Sequence, residues 1–198
     1  GHRISCGDRD PERARRFLGT ASTIPVQEVN ARNIRSIVNA AQGTQLLINA
    51  CPAVFNKIIL RAALRLRTHY LDMAAHLTEN PFRAEQLRFA TDFQNIRRTA
   101  VITAGVAPGL TNLLIAASAD LLDTVEAVQV RLYEATESDR PVSQWSAEVA
   151  FDEAVSRPCL YRQGHFRLGQ RFSGREIFRF PAPIGPVAVV LAAQDEVV

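Results

Sequence analysis

Cysteine is scarce: Cys6, Cys51 and Cys159 are the only three among 198 residues. An odd, dispersed set excludes a disulfide framework and a cluster of soft zinc ligands, and it suits reduced thiols in a cytoplasmic protein. Lysine is rarer still. Lys57 stands alone, so the formal charge of +3 rests almost wholly on arginine. Arg13, Arg15 and Arg16 share one predicted helix, but elsewhere arginines alternate with acids. That is the pattern of solvated helix faces and argues against a nucleic-acid binder, although an anionic ligand such as a dinucleotide accounts for the residual bias equally well. No apolar run approaches the ~20 residues that span a bilayer, and no charged-then-apolar leader opens the stretch. The apolar and charged fractions, 47% and 22%, are ordinary for a globular chain and exclude disordered and fibrous classes.

What is there is an alternation of short apolar runs with longer amphipathic ones, the mark of strand–helix–strand units. Strands are predicted at 3–7, 26–29, 46–50, 68–71 and 100–103. The 46–50 run reads as apolar on both faces, as parallel strands usually are. Helices are predicted from Pro11 to Gly19, with Asp10 as N-cap and Glu12 at the positive helix end, and from Asn33 to about Ala41. Others follow at 54–66, 83–96 and 113–122. Beyond 122 the texture changes: 125–133 alternates like an antiparallel strand, 134–143 is polar and irregular, and 166–180 and 187–192 read as further strands. The fold class expected is α/β, an open parallel sheet with helices on both faces over 1–122, followed by a part of a second, mixed domain over 123–198.

Ligands of such sheets bind beyond the carboxyl ends of the strands. The first of these loops holds Asp8-Arg9. A carboxylate there accepts from adenosine ribose hydroxyls, and an adjacent guanidinium pairs with a 2′-phosphate, a combination that leans towards NADP over NAD. The alternative is a helix-entry Asp beside a solvated Arg. In the loop Asn49-Ala50-Cys51-Pro52, small residues allow a flat ligand close to the backbone. Cys51 as a nucleophile is the other reading, since a helix begins just after it. Asp72 and His76, at a strand end and in the next loop, form a candidate acid–base pair, against the reading of a loop-capping Asp and a surface His.

The ordered set Leu47-Ile48-Asn49-Ala50-Cys51-Pro52, Arg61-Ala62-Ala63-Leu64, Thr68-His69-Tyr70-Leu71-Asp72 and 104–112 (AGVAPGLTN) resembles the saccharopine dehydrogenase-like reductases. Gln144-Trp145-Ser146 and 180–185 (FPAPIG) look like pieces of that family's substrate domain. The resemblance implies a Rossmann domain and an α+β substrate domain. It also implies hydride transfer between NAD(P)H and a carbon–nitrogen bond, an imine or secondary amine of an amino-acid-like or polyamine-like molecule. By the same resemblance Asp8 and Arg9 hold the adenosine end, Asn30 stands where the family often has an Asp near the adenine and keeps an acceptor without the charge, and Ala50, Cys51 and Pro52 line the cofactor. Met73, Gly105 and Val106 lie towards the nicotinamide. The partners expected are a small-molecule substrate and a second copy in a homodimer, with no nucleic acid and no membrane.

The stretch departs further from the family's pattern where the cofactor's phosphates would be held. A glycine-rich G-x-G-x-x-G turn normally holds the pyrophosphate at a helix N-terminus, and none occurs here. By resemblance the sheet lacks its first strand, which in the order 3-2-1-4-5-6 lies between the second and the fourth. The expectation is therefore that the native protein carries a further N-terminal segment. Residues 1–198, stopping at Asp195-Glu196-Val197-Val198 inside the substrate domain, are expected to bind dinucleotide weakly and to be inactive alone. The alternative is a non-catalytic remnant acting as a dimerisation or scaffold module.

Overall fold

The structure, a computed structural model, describes residues 1–77, 80, 82–139 and 147–193. Gln144, Trp145, Ser146 and 195–198, which entered the sequence reading, lie outside them, as does Pro81. The chain divides into two compact units, one formed by 1–76 with 85–102 and the other by 77–84 with 103–198.

In the first unit, strand β1 (Cys6–Asp8) leads into helix α1 (Pro11–Leu18). Asp10 caps that helix, its carboxylate accepting the Arg13 N–H at 2.9 Å, and Pro11 fills a first-turn position that has no N–H to satisfy. Strand β2 (Val26–Glu28) follows, then α2 (Ile34–Ala40), capped by Asn33 through the Arg35 and Ser36 N–H groups. Strand β3 (Leu46–Asn49) runs through a 3-10 turn, Ala53–Phe55, into α3 (Asn56–Leu66). Strand β4 (His69–Asp72) comes next. The helix predicted over 83–96 is a 3-10 segment, Glu85–Phe89, continued by the short α4 (Ala90–Asn95) and then by β5 (Ala100–Val101).

Every strand pairing in this unit is parallel, but the strands form two sheets: β1 with β2, and β3-β4-β5. Cys6 and Asp8 turn their backbone groups to β2 (Cys6 N–H to the Pro25 carbonyl, the Asp8 carbonyl to the Val29 N–H, both 2.8 Å), so Gly7 turns its own the other way. Gly7 is required by packing, since a Cβ there would stand 2.7 Å from a Val29 methyl.

The core lies against α3. Ile37, Ile59, Leu60, Ala62, Ala63, Tyr70 and Phe93 are buried together, with Leu47 and Ile102 packed on them. Each large side chain so enclosed contributes roughly 1.5–3 kcal/mol. The structure corrects one expectation here: β3 is buried on one face only. Leu47 and Asn49 face the core, whereas Leu46 and Ile48 remain 44% and 58% exposed. Alternation sends them to the opposite face, where they stay exposed.

In the second unit, α5 (Leu110–Ala119) begins three residues earlier than expected, because the Gly109 N–H bonds to Asn112 Oδ1 at 3.0 Å and sets the first turn. Helix α6 (Ala147–Val155) was not anticipated. Two antiparallel hairpins follow, β6 (Cys159–Arg162) with β7 (His165–Leu168), and β8 (Glu176–Arg179) with β9 (Pro186–Val189). Gln163 and Gly164 both have positive φ at the first hairpin's turn, which suits the right-handed strand twist. The strand expected over 125–133 does not form. Among the described residues they pair with no neighbouring strand, and Val128, Val130 and Leu132 stay exposed. Alternating polarity is not enough without an edge to bond to. Among the described residues, no helix is long and apolar enough to cross a membrane.

Candidate dinucleotide-binding crevice

Because the pairings of the first unit are all parallel, Asp8, Asn49 and Asp72 close β1, β3 and β4 in turn. Asp8 and Asn49 each bend the chain back on itself. Asp8 Oδ1 accepts the Asp10 N–H at 2.8 Å, and Asn49 Oδ1 accepts the Cys51 N–H at 2.9 Å. Asn30, past β2, does the same, accepting from the Arg32 N–H at 2.9 Å, while its own N–H donates to Ser36 Oγ at 3.0 Å. Arg32 in turn lies over the Phe55 ring, 5.5 Å from its centre, so the loop after β2 is tied to the one after β3.

Asp8, Arg9, Asn30, Ala50, Cys51, Pro52 and Met73 are all exposed. The Cys51 thiol is pushed above its usual value, first by burial of its surroundings and then by the nearby Asp8 carboxylate. This rise includes the Asp8 charge, although no backbone pairing joins β1 and β3. It also argues against Cys51 as a nucleophile, which requires a lowered pKa. An exposed carboxylate and guanidinium beside a shelf of small residues is a donor and acceptor set that fits the adenosine half of a dinucleotide.

Asp72 and His76 are held differently. Asp72 is 1% exposed and accepts from the Tyr70 hydroxyl at 2.9 Å and from Gln86 Nε2 at 3.3 Å. Burial, and then the Asp72 charge, push the Tyr70 phenol far above its ordinary range, so it stays protonated and donating. The His76 ring is half-buried, and its Nδ1 meets Glu85 Oε2 at 2.9 Å. Glu85 also takes the Lys57 ammonium at 2.9 Å. The Lys57 hydrogen bond, foremost, holds the Glu85 carboxyl below the usual carboxylate range in spite of its burial.

Sequence reasoning missed the amides that join these groups. Asn49 Nδ2 donates to Asn56 Oδ1 at 2.7 Å and to the Tyr70 hydroxyl at 3.0 Å, and Asn56 and Gln86 both donate to the Ala74 carbonyl. The available signal was Tyr70 two residues before Asp72 on one strand face. The amide partners lie too far along the chain for spacing to show.

Gly105 and Val106 belong to the second unit, in a turn closed by the Gly105 N–H to the Pro108 carbonyl at 3.0 Å and the Leu110 N–H to the Gly105 carbonyl at 2.9 Å. Gly109 has φ +132°, and a Cβ on it would stand 2.3 Å from the Gly105 carbonyl oxygen. Only glycine fits there. No group of three or more His, Cys, Asp or Glu suited to a metal ion occurs among the described residues.

The model of the saccharopine dehydrogenase NADP-binding domain matches residues 1–104. Among solved structures, the apo histidine-tagged saccharopine dehydrogenase (L-Glu forming) from Saccharomyces cerevisiae superposes with a TM-score of 0.64 at 12% identity, over 92% of this chain and 42% of that one. The chain therefore spans about two fifths of that enzyme's length, and a likeness at this identity speaks for the fold alone. A nucleoside-diphosphate-sugar epimerase from Staphylococcus aureus matches over 48% of this chain and 39% of its own, at 18% identity and a TM-score of 0.32, too low to carry an argument. With more than half of its residues under the family model, and with the parallel α/β framework and strand-end loops described above, this chain belongs to the saccharopine dehydrogenase NADP-binding domain family.

Proposed function

We propose that the chain supplies the cofactor-binding region of an NADP-dependent oxidoreductase. Its substrate would be an amino-acid-like or polyamine-like molecule reacting at an imine or secondary-amine carbon–nitrogen bond. The observation that carries this reading, besides family membership, is the meeting of the loops at the carboxyl ends of the parallel strands, where Arg32 beyond β2 lies over Phe55 beyond β3. A bound nicotinamide supplies or accepts the hydride. Asp8 accepts from the adenosine ribose, Arg9 pairs with a 2′-phosphate, and Asn30 borders the adenine. Ala50, Cys51 and Pro52 form the shelf along which the cofactor lies, and Met73 borders its nicotinamide end.

Of the two acid–base candidates, His76 is the one to move a proton, because Glu85 orients its ring as a carboxylate orients a catalytic imidazole. Asp72, buried and already hydrogen-bonded to Tyr70 and Gln86, holds the end of β4 in place. The enzyme works as a homodimer in the cytoplasm, and residues 1–198 alone do not turn over.

A second reading, a dimerisation or scaffold module without catalysis, draws on Leu113 and Leu114 of α5, which are 69% and 58% exposed. Titration of the full-length gene product with NADPH and NADH, followed by an assay of NADPH oxidation with an aldehyde–amine mixture, separates the two. Binding with oxidation is expected. Failure to bind either nucleotide leaves the scaffold reading standing.

A further inference from the structure

Burying an amide side chain is costly unless its hydrogen bonds are made, and an apolar residue of the same shape would fill the space more favourably. The first unit nevertheless buries two such amides around a single backbone carbonyl. Asn56, the first residue of α3, is 1% exposed, and Gln86, in the 3-10 segment before α4, is 4% exposed. Asn56 Nδ2 donates to the Ala74 oxygen at 2.8 Å, and Gln86 Nε2 donates to the same oxygen at 2.9 Å. Both acceptor positions of that carbonyl are thereby filled from two different elements.

Gln86 also reaches the backbone on the far side, its Oε1 accepting the His76 N–H at 3.1 Å. Asn56 Oδ1 is held in turn by Asn49, whose Oδ1 shapes the Cys51 turn. The loop after β4 is thus fixed at Ala74 and His76, and the same network extends to the loop after β3. The exposed Met73 side chain stands one residue from the doubly bonded carbonyl.

We propose that Asn56 and Gln86 are positioning residues. By fixing the Ala74 carbonyl they set where Met73 and the 73–76 loop stand relative to the nicotinamide half of a bound dinucleotide. This inference rests on the reading of the crevice as a dinucleotide site. In that reading the adenosine end lies at β1 and the ligand extends past the ends of β3 and β4, as dinucleotides lie across the strand ends of parallel sheets. A loop that meets the nicotinamide needs a supporting shell to hold it to within a fraction of an ångström.

The test compares two ligands in the full-length gene product: NADPH, and 2′-phospho-ADP-ribose, which has the adenosine half but no nicotinamide. Gln86→Met and Asn56→Leu remove the donors while keeping the approximate volume. Each is expected to weaken NADPH binding by about tenfold, the loss of one buried hydrogen bond's worth of positioning, while changing the affinity for 2′-phospho-ADP-ribose less than about twofold. The fluorescence enhancement of bound NADPH falls in parallel. Phe93→Leu, in the core and outside the network, is expected to lower stability without changing the ratio of the two affinities.

Equal losses for both ligands, or none for either, overturn the positioning role. Should both network variants unfold, hydrogen exchange in the wild type decides: NADPH must slow the His76 amide more than 2′-phospho-ADP-ribose does, and equal protection overturns the proposal. A wild type that binds neither ligand overturns the dinucleotide reading itself and the positioning role with it. A wild type that binds both while the variants leave their ratio unchanged removes only the positioning role.

Discussion

The Asp8 carboxylate, at the end of β1, lies close enough to Cys51, beyond the end of β3, to raise the thiol's pKa. The sign of that effect is measurable. Asp8→Asn removes a charge that disfavours the thiolate, so the Cys51 pKa falls and more thiolate is present at any pH below it. Alkylation of Cys51 near pH 8 is then expected to be faster in the variant than in the wild type. An unchanged rate would mean that the two loops lie too far apart for the Asp8 charge to act on the thiol. Saturation with dinucleotide should slow alkylation in the wild type.

Arg9 is exposed beside Asp8, and the proposed function has it pair with a 2′-phosphate. A charge-assisted hydrogen bond is worth about 1.5–3 kcal/mol, so Arg9→Ala should weaken NADPH binding by about tenfold or more and leave NADH nearly unchanged. Calorimetric titration of both nucleotides gives the ratio. A variant that loses both equally would assign Arg9 to general attraction of anions.

Glu85 links stability to acid. Its folded-state pKa lies below the usual value of about 4.3, so between the two values the unfolded chain binds more protons than the native one. The stabilisation is fully present above about pH 4.3 and is lost as pH falls through the lower, folded value. The groups facing the carboxylate are Lys57, His76 and, at 3.5 Å, Arg88. Glu85→Gln should cost about 2 kcal/mol at neutral pH and flatten the acid limb of the stability curve. Urea titrations across pH 3 to 7 would show it, and an acid limb that kept its slope would count against this assignment.

The one-sided burial of β3 makes a contrast between two apolar residues. Ile48→Thr should change stability by no more than about 0.5 kcal/mol, because the side chain is already in solvent. Leu60→Ala, at a position with no exposure, should cost about 2–5 kcal/mol. Equal costs in chemical denaturation would mean that the outer face of β3 is covered after all.

Local chemistry was legible in the sequence wherever the decision is made within a few residues. Asp10 and Asn33 cap helices because their short oxygens reach N–H groups two or three positions on, and Pro11 suits a first turn wherever that turn occurs. The order of strands and helices, and hence the strand-end loops, followed from the same reading. What failed depended on distant partners. Leu46 and Ile48 carry an apolar pattern, but exposure is settled by whatever lies on that face of the sheet. Residues 125–133 alternate correctly and find no strand to bond among the described residues. Tyr70, Asn56 and Gln86 resemble any other interior residues until folding brings them to Asn49, Asp72 and Ala74. Asp72 and His76 were chosen for their position at a strand end, and spacing gave no sign that Glu85, nine residues beyond His76, would engage the imidazole.

The crowding at Gly109 has a consequence for the helix it precedes. The turn's backbone leaves no space for a methyl group and is locked by short hydrogen bonds, so it cannot absorb a change in length. Deleting or inserting one residue between Gly105 and Gly109 would turn α5 about its axis by roughly 100°. Thr111, now inside, would swing outward, and a neighbouring side chain would take its place. The five-residue turn therefore sets the rotational phase of the whole helix, a property that depends on its length as much as on its glycines.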